Sequence, residues 1–144
     1  MKSFEFVLPT RIRFGEGISS ELATEIRKMG HSRPMILTDK GLIDAGIVSK
    51  ITKPLKESGI EYIIFDAIEP NPRDITVQKA YQSALEAKAD LLVAVGGGSS
   101  MDTAKAVGVL MTHGGRINDY EGLDKVTKPI CDLIAIPTTV GTGS

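Results

Sequence analysis

Short apolar runs that alternate with helix-like segments are the feature that most constrains the fold of this chain. The runs lie at residues 35–39, 62–65, 91–95 and 130–136, and most of the intervening stretches carry apolar residues at helical spacing. Strands that are apolar throughout are buried on both faces, as in a parallel sheet covered by helices. The pattern therefore predicts a doubly wound α/β domain that spans residues 1–144.

The first fourteen residues have a different pattern. Phe4, Phe6 and Leu8 alternate with other residues, and the alternation resumes over residues 11–14. A period of two indicates strands with two different faces. We expect an N-terminal β-ribbon, whose edge-strand character makes it a candidate contact for a second copy of the chain in a homodimer.

The composition argues against several classes of function. Charged residues make up 24% of the chain and the net charge is -1, without a basic block that would attract nucleic acid or an anionic membrane. No apolar run approaches the length of a membrane span, and the start lacks the apolar region of a signal peptide. A single cysteine, Cys131, forms no internal disulfide. We expect a cytoplasmic protein that binds neither nucleic acid nor membrane.

Polar residues follow each of the four predicted strands. These groups are Asp39, then Asn71 between two prolines, then the run Gly96–Ser99, and then Thr138, Thr139 and Thr142. Parallel strands bring their carboxyl ends to one edge of a sheet, which is where ligands bind in this architecture. The sequence therefore predicts a ligand site built from all four groups.

The run Gly96-Gly97-Gly98-Ser99 is the strongest single motif. Without Cβ atoms between a strand and a helix, a phosphate can reach backbone N–H groups at the positive helix end. A tight turn capped by Ser99 is the alternative, but three successive glycines are more than a turn needs. Asp102 has the spacing of a capping box with Ser99, so capping is its first interpretation.

Asp39 would influence which nucleotide cofactor binds at the predicted site. Its carboxylate can accept hydrogen bonds from a ribose diol and would repel a 2′-phosphate. Two like charges about 4 Å apart cost ~1 kcal/mol in water and ~4 kcal/mol near a protein surface, and about 1.4 kcal/mol is tenfold in affinity. NAD is therefore expected rather than NADP. The alternative interpretation of Asp39 is a solvated aspartate in a loop. For the other groups the alternatives are a plain turn at Asn71 and a polar linker at residues 138–142.

The residues of several other chemistries are missing. The first strand is not followed by G-x-G-x-x-G, and the chain has no G-x-x-x-x-G-K-[ST]. His31 and His113 are far apart and lack ligand spacing, so we expect no metal site and no Ser-His-Asp arrangement. The chain is expected to contain a cofactor cradle but no catalytic or metal-binding residues.

Two long motifs resemble the iron-containing alcohol dehydrogenase family, namely residues 96–105 (GGGSSMDTAK) and 137–144 (PTTVGTGS). Residues 9–15, 38–42 and 70–72 are similar to the N-terminal domain of that family in order and spacing. The resemblance implies a Rossmann-like domain that binds NAD, and hydride transfer between NAD(P) and a small alcohol or aldehyde. In the family a divalent metal, often iron or zinc, polarises the oxygen and is held by an α-helical C-terminal domain. We expect that domain to lie outside this chain.

The resemblance also implies roles for individual residues. Asp39 would bind the adenosine ribose, and Asn71 would line the cofactor cleft. The pyrophosphate would be held by Gly97, Gly98 and Ser99, and Asp102 would lie near the nicotinamide. The dinucleotide site would be completed by Thr138, Thr139 and Thr142. Val140 stands where the family commonly has a smaller residue. Since no position matches a metal ligand, we expect this chain alone to be inactive.

Two other functions are compatible with the same cradle. One is a free-standing nucleotide-binding module with a regulatory or partner-binding role. The other is an enzyme related to glycerol-1-phosphate dehydrogenase or 3-dehydroquinate synthase, although residues 137–144 favour the alcohol dehydrogenases.

Overall fold

The computed structural model describes residues 9–141. Its helices are Leu22–Lys28 (α1), Lys40–Asp44 (α2), Ile47–Glu57 (α3), Asp74–Glu86 (α4) and Gly98–His113 (α5). Its strands are Pro34–Leu37 (β1), Ile63–Phe65 (β2), Leu91–Gly96 (β3) and Leu133–Pro137 (β4). Short 3₁₀ turns lie at Ile18–Glu21 and Ile117–Tyr120. No helix in this part of the chain is long and apolar enough to cross a membrane.

The four strands form one parallel sheet in the order β2-β1-β3-β4. Leu37 of β1 lies opposite Phe65 of β2 and Ala94 of β3, and Gly96 of β3 lies opposite Pro137 of β4. From β1 the chain first adds a strand on one side and then on the other. The doubly wound parallel sheet expected from the sequence is thus confirmed, with its topological switch point between β1 and β3.

Helices bury both faces of this sheet. On one face α4 and α5 pack on a cluster that includes Leu37 and Ala94, and on the other α1 and α3 pack on Ile36, Val93 and Val95. All five of these strand residues are fully buried. Each fully buried Leu, Ile or Val side chain contributes about 1.5–3 kcal/mol relative to exposure, so the two central strands anchor the domain.

The last strand begins later than the apolar pattern suggested. β4 starts at Leu133, although the apolar run begins at Ile130. The reason is packing on α5, because a Cβ built on Gly108 would lie 3.0 Å from Ile130 Cδ1 and 3.6 Å from Cys131 Sγ. These two side chains are apolar because they contact the helix before the strand starts.

The predicted N-terminal ribbon falls partly on residues 1–8, which lie outside the described residues. Residues 11–14 form no strand with any residue in the range 9–141. Arg11 and Arg13 instead form ion pairs with Glu25, and Arg13 also pairs with Glu21 at 2.7 Å. Alternation in residues 11–14 therefore separates arginines that form ion pairs with Glu21 and Glu25 from exposed apolar side chains.

Candidate functional site

The carboxyl edge of the sheet brings three of the predicted groups together. Asp39 follows β1, the glycine run begins at the end of β3, and Thr138 and Thr139 follow β4. The backbone N–H of Thr138 donates to the carbonyl of Gly96 at 2.9 Å. This bond continues the pairing of β3 and β4 and holds the threonines beside the glycines.

Crowding explains why the first two glycines of the run have no side chain. A Cβ on Gly96 would overlap the side chain of Ser100, and the φ of 152° at Gly96 also favours glycine. A Cβ on Gly97 would lie 2.9 Å from Oγ1 of Thr139, closer than such atoms approach. The turn between β3 and α5 is therefore packed tightly against the segment that follows β4.

The glycine run opens α5, the longest helix described, which has 16 residues. Gly97 occupies the N-cap position, so no N-cap side chain binds the first turn, and that turn contains no acidic residue. The N–H groups of a first turn have no partner within the helix and form its positive end. The alternative that Ser99 caps the helix is wrong, since the cap position lies two residues earlier.

Asp102 lies one turn further along α5. With Gly97 at the N-cap, Asp102 falls outside the third helical position that a capping box requires. Its carboxylate is exposed and lies 4.0 Å from Nζ of Lys105. Asp102 also lines a shallow pocket with residues from the start of α4 and from the second 3₁₀ turn, among them Pro72, Asp74 and Asn118.

Asp39 is attached to the short helix α2. Its backbone is extended, and its Oδ1 accepts a hydrogen bond from the N–H of Leu42 at 3.0 Å as the N-cap of α2. It is half-buried rather than free in a loop. Leu42 in turn reaches the glycine turn, since its Cδ1 would lie 3.4 Å from a Cβ on Gly96. Asp39 is thus held near the end of β3.

The other two predicted site residues are Asn71 and Thr142. Asn71 is exposed in the loop before α4 and has a φ of 53°, a left-handed conformation that asparagine adopts more readily than most residues. Its neighbour Pro72 lines the pocket that contains Asp102. Thr142 lies outside the described residues. Within the site, the structure therefore associates Asp39, the glycines and the threonines more directly than Asn71.

Sequence reasoning missed α2 and the residues that hold Asp39. Leu42 supplies the N–H that binds the carboxylate, and a Cβ on Gly41 would lie 3.1 Å from Oδ1. The available signal was the aspartate three residues before Leu42, because aspartate is a preferred N-cap residue. Five helical residues are too few to show a periodicity.

The histidines serve structural roles, and within residues 9–141 no group of three His, Cys, Asp or Glu could hold a metal ion. His31 lies before β1, and its Nε2 is 2.7 Å from Oδ2 of Asp132. His113 ends α5, where its Nδ1 lies 3.1 Å from the carbonyl of Val109. The donor set of a metal centre is therefore not present in the part of the chain that the structure describes.

Cys131 is equally unsuited to chemistry. Burial raises the pKa of its thiol to about 11, and the negative charge of Asp132 acts in the same direction. A thiol with this pKa is almost entirely protonated near neutral pH, and the thiolate is the reactive form. Cys131 is a packing residue, whose Sγ lies against Gly108 of α5.

Taken together, a doubly wound parallel sheet, a glycine turn that opens a long helix and a carboxylate on a neighbouring strand define a dinucleotide-binding type of domain. Comparison with known proteins agrees. The family model for iron-containing alcohol dehydrogenase matches residues 9–144. The chain belongs to the iron-containing alcohol dehydrogenase family, as its motifs suggested.

Three relatives illustrate the match. The chain is 39% identical over 139 residues to the NAD-dependent methanol dehydrogenase of Bacillus methanolicus, which covers 96% of the chain and 36% of that protein. The crystal structure of a 1,3-propanediol oxidoreductase matches 98% of the chain at 35% identity with a TM-score of 0.91, over 37% of its own length. A sulfoacetaldehyde reductase from Bifidobacterium kashiwanohense in complex with NAD+ matches 99% of the chain at 29% identity with a TM-score of 0.89, over 38% of its length. The chain thus spans little more than a third of the length of each relative.

Proposed function

We propose that this chain is the NAD-binding part of a metal-dependent alcohol dehydrogenase that transfers hydride between a small alcohol or aldehyde and NAD. The observation that carries the proposal is the first turn of α5. Its N-cap residue, Gly97, has no side chain and lies beside Thr139. A small alcohol as substrate is supported by the names of the methanol dehydrogenase and the 1,3-propanediol oxidoreductase. NAD as the cofactor is supported by the NAD-dependent methanol dehydrogenase and by the NAD+ complex of the sulfoacetaldehyde reductase.

In this proposal the pyrophosphate of NAD binds at the glycine turn. Gly97 and Gly98 would supply backbone N–H groups at the positive end of α5, and Ser99 would add a hydroxyl. The Oγ1 of Thr139 stands against Gly97, so that it can donate to a phosphate oxygen at the wall of the cradle. An anion at a helix N-terminus gains about 0.3–1 kcal/mol when exposed and up to ~2 kcal/mol when partly buried.

The adenosine ribose would bind at Asp39. Leu42 occupies Oδ1, and within the described residues Oδ2 has no hydrogen-bond partner. That oxygen is available to the ribose diol, whereas a 2′-phosphate there would be repelled by the carboxylate. We therefore infer a preference for NAD over NADP.

The nicotinamide, whose ring accepts or donates the hydride, would lie towards the pocket that contains Asp102. Asn71 is next to Pro72 at the edge of that pocket, and the amide of Asn71 suits the carboxamide of the nicotinamide. Thr138 and Thr142 would complete the site from the segment that follows β4. These roles extend the resemblance and rest on proximity to the same edge of the sheet.

A catalytic metal does not fit the described residues, because they contain no suitable donor group. We infer that iron or zinc is bound in the whole enzyme by residues that this chain does not supply. We therefore expect no oxidation of methanol or 1,3-propanediol by the purified chain with NAD and added Fe²⁺ or Zn²⁺. NADH absorbance measures this, and metal-stimulated turnover by a sample of verified mass would contradict it.

Two further expectations concern the setting of the protein. A cytoplasmic location fits a chain whose one cysteine is an unreactive packing residue. A homodimer through the N-terminal segment fits Ile12 and Phe14, which are 69% and 100% exposed. Solution mass, with and without the double substitution of both residues by serine, measures the second expectation, and an unchanged dimer would contradict it.

Titration calorimetry of the chain with NAD and with NADP tests the proposal. Asp39→Asn keeps a good N-cap and removes the charge, so we expect the ratio of NAD to NADP affinity to fall by about tenfold or more. Asp44→Asn is the matched control, since Asp44 is exposed at the end of the same helix. No saturable NAD binding, or an equal ratio in all three proteins, would contradict the proposal.

A further inference from the structure

Gly41 is a glycine that its own backbone does not require. It lies inside α2, is exposed and does not have a positive φ. Alanine is a better helix former than glycine at such a position. The reason for glycine must therefore be sought in what a side chain would contact.

The contact that a side chain would make is with Asp39. A Cβ on Gly41 would lie 3.1 Å from Oδ1 of Asp39, which is tighter than an ordinary carbon–oxygen contact. The same oxygen accepts the hydrogen bond from Leu42 at 3.0 Å. Relief of the contact therefore moves the carboxylate away from the position in which it caps α2.

The backbone of Asp39 has little freedom to absorb the movement. It lies two residues after the end of the buried strand β1 and forms an isolated bridge with Ala67. The carboxylate would have to rotate instead, and its second oxygen would rotate with it. The orientation of both oxygens thus depends on the absence of a side chain at residue 41.

We propose that Gly41 is a positioning residue, which sets the orientation of the Asp39 carboxylate and through it the affinity for the ribose diol and the preference for NAD. The inference rests on the proposed function, because it takes Asp39 to be the ribose-binding residue. It adds a second determinant of cofactor preference that acts without contacting the cofactor.

Gly41→Ala in the 144-residue chain tests the proposal. We expect NAD affinity to fall about tenfold, as for loss of one hydrogen bond to a charged group, and NADP affinity to stay unchanged. The melting temperature without cofactor should change little, because the gain of about 1 kcal/mol from alanine in the helix offsets the loss of about 0.5–2 kcal/mol from displacement of the Asp39 cap. Gln78→Ala, at an exposed position of α4, is the matched control and should change neither affinity. Unchanged NAD affinity in Gly41→Ala would overturn the proposal.

A double substitution separates this inference from the proposed function. If Gly41 acts through the carboxylate of Asp39, Gly41→Ala should have little effect on NAD affinity in the Asp39→Asn background. An equal loss in both backgrounds would show a direct contact with the cofactor and overturn the positioning role. If Asp39→Asn alone leaves the NAD to NADP ratio unchanged, the assignment of Asp39 fails, whatever Gly41→Ala does.

Discussion

A carboxylate placed in the first turn of α5 should have opposite effects on folding and on cofactor binding. Ser99 lies in that turn, is half-buried and can be replaced by aspartate in Ser99→Asp. An acidic side chain near a helix N-terminus stabilises it by about 0.3–1 kcal/mol. The free energy of unfolding of the chain without cofactor should therefore rise slightly.

The same carboxylate would face the pyrophosphate of NAD. Two phosphate charges at about 4 and 6 Å from the carboxylate cost ~2 kcal/mol together with the dielectric constant of water and ~7 kcal/mol with the effective value of about 20 near a protein surface. At about 1.4 kcal/mol per factor of ten, even the lower value weakens binding by more than tenfold. The free energy of unfolding and the NAD affinity are measured separately, so a gain in the first does not mask a loss in the second.

Urea unfolding without cofactor and titration calorimetry with NAD measure the two effects. Gln78→Asp, at an exposed position in the middle of α4, introduces the same charge away from the glycine turn and serves as the control. Equal NAD affinity in Ser99→Asp and in the unaltered chain would refute the reasoning. It would mean that the positive end of α5 does not hold the pyrophosphate.

Three further substitutions test the stability of the fold. Thr38 is fully buried and its hydroxyl has no hydrogen-bond partner within the described residues, so Thr38→Val should raise the unfolding free energy by about 1 kcal/mol. Thr103→Val should lower the unfolding free energy by about 1 kcal/mol, because the buried Thr103 hydroxyl donates to the carbonyl of Ser99 at 2.8 Å. Urea unfolding of the two variants measures both effects. Equal effects of the two substitutions would contradict this account. Burial alone would raise the pKa of Asp90, but hydrogen bonds from the backbone N–H groups of Ser32 and Arg33 outweigh it and hold the pKa below its ordinary value of 3.8. A depressed pKa in the folded state gives stability that is present above pH 3.8 and is lost as the pH falls through the folded pKa. The Asp90→Asn protein should therefore be less stable than the unaltered chain at neutral pH and should lose less stability on acidification. Parallel stability curves for the two proteins between neutral and acid pH would exclude this role.

The fold could be predicted from the sequence where burial leaves a strong pattern. β1 and β3 lie at the centre of the sheet, and their runs are apolar because both faces are covered by helices. The convergence of Asp39, the glycine turn and Thr139 follows from the parallel direction of the strands. None of these predictions needed the details of packing.

The parts that could not be predicted depend on contacts between distant residues. α2 is too short for a periodic pattern, so its effect on Asp39 was not visible. The start of α5 at Gly98, rather than after Ser99, accompanies the close approach of Thr139 to Gly97, which lie in different segments. The start of β4 at Leu133 depends in the same way on the contact between Ile130 and Gly108.

The central claim is that the pyrophosphate of NAD binds the backbone N–H groups at the start of α5. Amide chemical shifts from ¹H–¹⁵N correlation spectra, recorded during titrations with NAD and with adenosine, test it most directly. We expect NAD to give its largest shifts at Gly97, Gly98 and Ser99, and adenosine to shift residues near Asp39 while leaving those three amides unchanged. Shifts confined to the opposite edge of the sheet, near Arg33 and Tyr62, with the three amides unmoved by NAD, would contradict the claim.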